Sequence, residues 1–264
     1  MKIRVSIVTF EIDAGVLGAT LNSLKQAAIC LPEVTFSVVL VNNGTESDLK
    51  KLQDLAGQIG LELEFVTGHG NVGYGAAHNL AIDRSSNYHL VLNPDVELSS
   101  DSLLVALGFM EQHSNCGLLS PRAVDDLGCQ QYLCKKYPSL LDLLLRGFAP
   151  PLVKKIFAKR LANYEMQSQI GDGVVWNPAI VSGCFMFFRA EVLRRIGGFD
   201  PLFFLYFEDF DISLRVANIS NIAYVPNVRI LHHGGNAALK GLRHVKLFGA
   251  SALKFYTKHG WKLW

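Results

Sequence analysis

The 264-residue chain has no excess of charge of either sign, few cysteines and no long apolar run, and each shortage removes a class of function. Lysine and arginine total 25 against 23 aspartates and glutamates, a net charge of +2. A dedicated nucleic-acid binder carries a marked basic excess, so no nucleic-acid partner is expected. The five cysteines (Cys30, Cys116, Cys129, Cys134 and Cys184) are odd in number and lack the close paired spacing of a zinc site. Buried, reduced thiols in a cytosolic compartment are the simplest expectation. No apolar stretch approaches the ~20 residues of a spanning helix. The longest, from Leu140 to Val153, is broken by Asp142, Arg146 and the Pro150-Pro151 pair. Met1-Lys2-Ile3-Arg4 leads straight into a strand pattern, so no secretory leader is expected. What the chain does have is a composition that is half hydrophobic and only 18% charged. That excludes general disorder and supplies a substantial core for one large α/β domain or two small ones.

The first half alternates strand and helix patterns. Ile3 to Phe10, Phe36 to Val41, Leu61 to Val66 and His89 to Leu92 read as strands; Leu17 to Ile29, Asp48 to Ile59, Gly73 to Ser85 and Ser100 to His113 read as helices. Such alternation predicts a mostly parallel sheet covered on both faces, with ligands at the carboxyl ends of its strands. Three of those ends carry polar, turn-forming residues: Thr9 to Glu11, Asn42 to Gly44 and Asn93 to Asp95. Between Lys135 and Gly173 the character changes, with Leu-rich stretches mixed with Lys154, Lys155, Lys159 and Arg160. The β pattern returns from Ile180 to Arg189, and a helix from Ala190 to Ile196 stops at Gly197-Gly198. From Lys240 onward, lysines and Arg243 alternate with Leu242, Val245, Phe248, Phe255, Trp261 and Trp264, a pattern that suits either an anionic membrane surface or packing on the domain.

Four segments carry chemistry. Phe203 to Phe207 is apolar and mostly aromatic, and it runs into Glu208, Asp209 and Asp211. Carboxylates this close are costly in a dry site unless a cation, a proton or a substrate hydroxyl compensates them, although a solvated helix N-terminus would also favour them. Asn93-Pro94-Asp95 presents one carboxylate at a strand end, either to hold a divalent cation or simply to turn the chain. Asn71-Val72-Gly73-Tyr74-Gly75 is a small-residue loop entering a helix, able to approach a ligand closely, but it lacks the G-x-G-x-x-G dinucleotide spacing. His232-His233-Gly234-Gly235 follows a strand; a neutral imidazole there can ligate a metal, while a pair of histidines is also a common structural feature.

Taken in order, these blocks resemble an inverting family-two glycosyltransferase of the GT-A fold, and especially the bacterial rhamnosyltransferases of cell-surface polysaccharide assembly. The resemblance runs over essentially the whole chain, from Val5-Ser6-Ile7-Val8-Thr9-Phe10 through Val41-Asn42-Asn43-Gly44 and Leu92-Asn93-Pro94-Asp95. It continues through Val181-Ser182-Gly183-Cys184, Gly197-Gly198-Phe199-Asp200, Tyr206 to Asp211 and His232 to Gly235.

The resemblance implies a Rossmann-like, mostly parallel central sheet in residues 1–239, with a nucleotide-binding half (1–115) and an acceptor and catalytic half (116–239). A basic amphipathic segment (240–264) follows. Asp95 stands where the family's Asp-x-Asp motif holds a divalent metal, Mg²⁺ or Mn²⁺, and His232 matches a metal-ligating histidine. Asp209 matches the catalytic base, with Glu208 beside it. Thr9, Phe10, Glu11, Asn42, Asn71, Gly73 and Asn93 fall at nucleotide-binding positions, and Ser182, Gly183, Asp211 and Arg215 at acceptor or donor-sugar positions. The implied reaction moves a sugar, L-rhamnose from dTDP-β-L-rhamnose, to a hydroxyl of a lipid-linked or saccharide acceptor. It would take place on the inner face of the bacterial inner membrane, with oligomers permitted. The alternatives are a transferase for a galactofuranose, N-acetylglucosamine or mannose donor, or a non-catalytic nucleotide-sugar-binding subunit.

Overall fold

Ile3, Val5 and Ile7 on one side of the first strand, and Ser6 and Val8 on the other, are all buried, so this strand lies inside a sheet covered on both faces. The computed structural model describes residues 1–11, 13–234 and 241–264. Its first half comprises β1 (Lys2–Thr9), α1 (Ala14–Ile29), β2 (Thr35–Asn42), α2 (Glu46–Ile59), β3 (Leu63–Val66), α3 (Tyr74–Asn79), β4 (Tyr88–Leu92), β5 (Val96–Leu98) and α4 (Ser102–Gln112). The second half contributes β6 (Cys116–Val124), β7 (Gln130–Gln131), β8 (Cys134–Lys135), α5 (Leu140–Phe148), α6 (Pro151–Ile156) and α7 (Ala158–Tyr164). It continues with β9 (Val175–Trp176), β10 (Ile180–Val181), β11 (Phe185–Arg189), α8 (Ala190–Arg195), α9 (Glu208–Ala217), β12 (Asn221–His232) and α10 (Leu242–His259).

The main sheet has the order β3-β2-β1-β4-β11-β6-β12-β5. Its first four strands are parallel; β11 enters antiparallel between β4 and β6, and β6 and β12 are again parallel. Leu17, Leu21 and Leu24 of α1, with Leu103, Ala106 and Met110 of α4, cover one face. Leu193 of α8 and Ile212 and Val216 of α9 cover the other, against Val91, Met186 and Phe188. Local chemistry sets the helix ends. The Asp13 carboxylate accepts from the amides of Gly15 and Val16, and Thr45 and Asp48 form a reciprocal capping box at the start of α2.

The helix expected from Gly73 to Ser85 is only α3, because Asp83 turns the chain by accepting from the amide and hydroxyl of Ser86. The expected strand from Ile180 to Arg189 is interrupted at residues 182–184, which form a loop between β10 and β11. Gly235, Lys240 and the side chains of Leu242 and Arg243 lie outside the described residues. Residues 244–264 are part of the body: Ala252, Phe255 and Tyr256 pack with Leu143, Tyr164, Phe203 and Phe207 in a third cluster. No helix among the described residues is long and apolar enough to cross a membrane.

Beneath the sheet, the Ser6 hydroxyl lies 2.7 Å from His78 Nδ1 and 2.8 Å from His89 Nε2, and both rings are buried. Burial pushes His89 down to about 3. Unfolded His titrates near ~6.5, so this contribution to stability is complete above that pH and lost as pH falls towards 3. From pH 6.5 to 4.5 His89 alone should remove about 2–3 kcal/mol. Urea midpoints measured across that range should fall more steeply for the wild type than for His89→Gln; equal slopes would refute the assignment.

Candidate functional site: a metal half-site facing a carboxylate pair

Asp95 and His232 meet because β5 pairs antiparallel with the end of β12, placing His232 opposite Val96. His232 Nε2 lies 3.7 Å from Asp95 Oδ1, and that oxygen is buried with no hydrogen-bond partner. The amide nitrogen of Gln131 donates to the carbonyls of His232 and Gly234, at 2.9 and 3.2 Å. This turns Gln131 Oε1 towards His232 Nδ1, at 2.6 Å. The Nδ1 position therefore carries the proton, and the Nε2 lone pair faces the carboxylate. Burial lowers the pKa of His232 and favours the neutral ring that a ligand needs. Its neighbour His233 points elsewhere, held between Glu97 (2.6 Å) and Asp126. Gly234 leaves the space open: a Cβ there would lie 2.3 Å from Asp95 Oδ2 and 3.0 Å from His232 Nε2.

An orphaned carboxylate oxygen, a correctly oriented imidazole and a cradle that a methyl group would fill together fit a divalent cation. Among the described residues no group of three or more His, Cys, Asp or Glu side chains could hold a metal. Asp95 and His232 are the two side chains of these types that converge here.

Across the loop at residues 182–184 lie Glu208 and Asp209. They open α9 after Tyr206 and Phe207, two non-glycine residues at φ 68° and 67°. A left-handed conformation costs roughly 1–2 kcal/mol per residue. Packing offsets it here: Phe207 contacts Phe210, Phe248 and Phe255, and the Tyr206 hydroxyl lies 2.7 Å from His244 Nδ1. Asp209 accepts from the Gly183 amide (3.1 Å) and the Phe210 amide (3.0 Å). Glu208 is buried, and its Oε2 has no partner. Burial raises both carboxyl pKa values, and the Asp209 charge raises that of Glu208 further. The Gly183 amide, the buried Lys135 ammonium and the Phe210 amide oppose the rise at Asp209 alone. Asp209 is therefore the better-stabilised anion, and Glu208 keeps the proton longer.

Tyr74 ties the two halves together. Its hydroxyl lies 2.8 Å from both Asn93 Oδ1 and the Gly183 carbonyl, and the Asn93 amide donates to the Cys184 carbonyl at 2.8 Å. Burial, reinforced by the charges of Glu208, Asp209 and Asp95, raises the Tyr74 pKa well above 10 and keeps the phenol protonated. Ser182 and Gly183 sit on the loop between the half-site and Asp209; a Cβ on Gly183 would come within 3.3 Å of Asp209 Cβ. Tyr74, Gln131 and Lys135 were absent from the sequence assignment. Tyr74 lies within the Asn71 to Gly75 loop but has no role assigned there, and Gln131 and Lys135 belong to no motif, so only tertiary contact reveals what the three do.

At the tips of β1 and β2, Thr9, Phe10, Glu11 and Asn42 line one cleft with Asp48 and Lys51. Phe10 is 46% exposed, and the Thr9 hydroxyl is buried without a partner. Three of the expected positions also carry structural duties. Asn42 closes its own turn, donating to the Thr45 carbonyl and accepting from the Gly44 amide, so much of its hydrogen-bonding capacity is used. Gly73, at φ 91°, is buried against the Phe204 carbonyl, where a Cβ would clash at 2.2 Å. The Tyr74 amide is bonded to that same carbonyl, so Gly73 serves a backbone junction rather than an open anion cradle, and Asn71 accepts from its amide. Asp211 is fully buried, bonded to Arg215 (2.7 Å), Lys258 (2.7 Å) and His259 (2.8 Å). Asp211 therefore fastens α9 to α10, while Arg215 bonds Asp211 on its own helix and the Ile196 carbonyl.

No family model matches the chain. It is 27% identical over 213 residues to the rhamnosyltransferase WbbL of Escherichia coli K12, covering 75% of this chain and 73% of that protein. It is 26% identical over 176 residues to the N-acetylglucosaminyl-diphospho-decaprenol L-rhamnosyltransferase of Mycobacterium tuberculosis, covering 62% of this chain and 56% of that one. Among solved structures, GalNAc-T7 with UDP, GalNAc and Mn²⁺ superposes with a TM-score of 0.64 at 14% identity, over 91% of this chain and 44% of its own. The fold is that of the GT-A glycosyltransferases, and the chain is rhamnosyltransferase-like in sequence.

Proposed function

We propose that this chain is an inverting glycosyltransferase that moves L-rhamnose from dTDP-β-L-rhamnose to a hydroxyl of a lipid-linked or saccharide acceptor in cell-surface polysaccharide synthesis. The observation that carries this reading is the partly exposed Asp209, an anion held by two amides, across one loop from Asp95 and His232. In this reading the nucleotide lies in the cleft at Thr9 and Phe10. Asp95 and His232 hold a divalent cation, which when bound offsets the negative charge of the donor diphosphate. Asp209 accepts the proton of the acceptor hydroxyl as that oxygen forms its bond to the anomeric carbon; the bond from that carbon to the diphosphate oxygen breaks, the nucleoside diphosphate leaves with the electron pair, and one displacement inverts the configuration. Glu208, holding its own proton longer, can donate a hydrogen bond to a neighbouring acceptor oxygen. The similarity to two rhamnosyltransferases supports the choice of sugar, and the decaprenol in the second one's name supports a lipid-linked acceptor. The site of action is then the inner face of the inner membrane.

Calorimetric titration with dTDP-rhamnose, UDP-sugars and GDP-mannose, each with Mn²⁺ or Mg²⁺, tests the donor. We expect dTDP-rhamnose to bind at least tenfold more tightly than the others and to lose that affinity in chelator. A preference for a UDP or GDP sugar would replace the donor assignment.

A further inference from the structure

The proposed function leaves one surface unused. Helix α6 buries no residue: Leu152 is 71% and Ile156 72% exposed, one helical turn apart, with Phe157 following. Exposed apolar side chains at that spacing stabilise nothing in water, and Lys154, Lys155 and Lys159 flank them. α6 adjoins α5, and α5 in turn packs on α10. Phe248 packs on Phe148 of α5 (ring centroids 6.1 Å apart) and on Phe207 beside the carboxylate pair (5.1 Å). Between these helices runs an apolar groove of about 490 Å³, lined by Leu140, Leu144, Phe148, Val245, Leu253 and Trp261. The last residue, Trp264, is 79% exposed.

Charge identifies the partner. No Asp or Glu occurs from 143 to 164 or from 240 to 264, whereas the two stretches carry Lys154, Lys155, Lys159, Lys246, Lys254 and Lys262. Among the described residues none of these six lysines pairs with a carboxylate. A second copy of this face would set lysine against lysine, so self-association is disfavoured. An anionic bilayer leaflet offers negative headgroups to the lysines and hydrocarbon to Leu152, Ile156 and Trp264.

We propose that α6, together with the outer face of α10 and the terminal tryptophans, is an insertion surface for an anionic membrane leaflet. The inference deepens the proposed function and rests on its membrane-borne acceptor.

Co-sedimentation of the full chain with vesicles of phosphatidylcholine alone, or with about 30% phosphatidylglycerol, tests it. Binding should require the anionic lipid and weaken in high salt. Lys154→Ala with Lys155→Ala should weaken binding about thirtyfold, at ~1 kcal/mol per lysine near the surface. Leu152→Glu with Ile156→Glu should reduce it by at least about tenfold without lowering Tm, since both side chains are already in solvent. Unchanged binding by either variant, equal binding to neutral vesicles, or a dimer that Leu152→Glu with Ile156→Glu dissociates would each overturn the proposal. Donor affinity measured without vesicles tests the transferase reading separately, so either can fail while the other stands.

Discussion

Asp209→Asn is expected to lower transfer by about 10²–10⁴-fold, the usual contribution of a positioned general base, while donor affinity stays within about twofold. The substitution keeps the shape of the side chain, and the new amide oxygen can still accept from Gly183 or Phe210, though not from both as well as the carboxylate does. Stability distinguishes this from a structural defect. The folded-state pKa of Asp209 is raised, so ionising it costs stability at every pH above the unfolded value near ~3.9. A neutral Asn escapes that cost and also relieves the repulsion on Glu208, so Tm at pH 8 should equal or exceed that of the wild type. A variant that is inactive, well folded and donor-competent identifies the proton acceptor. Transfer at a near-wild-type rate would remove Asp209 from the chemistry altogether.

The parts of the molecule legible in the sequence are those where local pattern and tertiary role coincide. The strands around Val5, Val39 and Leu90 are buried on both faces; the apolar runs at Val38 to Val41 and Leu90 to Leu92 say so directly, whereas Arg4 and Ser6 interrupt the first strand. The acid pair announces itself because Glu208 and Asp209 follow five apolar residues with no intervening spacer. β6 is harder to see: Ser120, Pro121 and Arg122 interrupt it, yet Pro121 pairs opposite Val225 just before the register shift that separates Val225 from Arg229. Gln131 is harder still, because nothing near it in sequence marks the hydrogen bond by which it sets the tautomer of His232, 101 residues away. Asp211 misleads for the opposite reason. Its closeness to the acid pair suggests an acceptor or donor-sugar position, but on a helix an offset of two turns it from Asp209 towards Arg215 and α10.

Gly234→Ala is expected to weaken metal-dependent nucleotide binding through a single added methyl group. The φ of Gly234 lies outside the left-handed region, so alanine avoids the positive-φ penalty, and the loss expected of the variant comes from space. The space lost is that between Asp95 and His232. The added carbon would lie 2.3 Å from Asp95 Oδ2 and 3.0 Å from His232 Nε2, well inside van der Waals contact. To relieve the overlap the Asp95 carboxylate must rotate or the chain at 234 must withdraw, and either movement alters the distance between the ligands. Disturbing the shell around a metal ligand typically costs 10–100-fold in affinity, and a direct collision with the ligand belongs at the upper end, about 100-fold. Nucleotide binding measured by calorimetry in Mn²⁺ should fall accordingly, while metal-independent binding in chelator stays unchanged. Gly171→Ala is the matched control, because a Cβ there meets nothing within 4 Å. If Gly234→Ala binds nucleotide with undiminished metal dependence, the cation does not lie between Asp95 and His232, and the proposed division of labour between those residues and Asp209 loses one of its two halves.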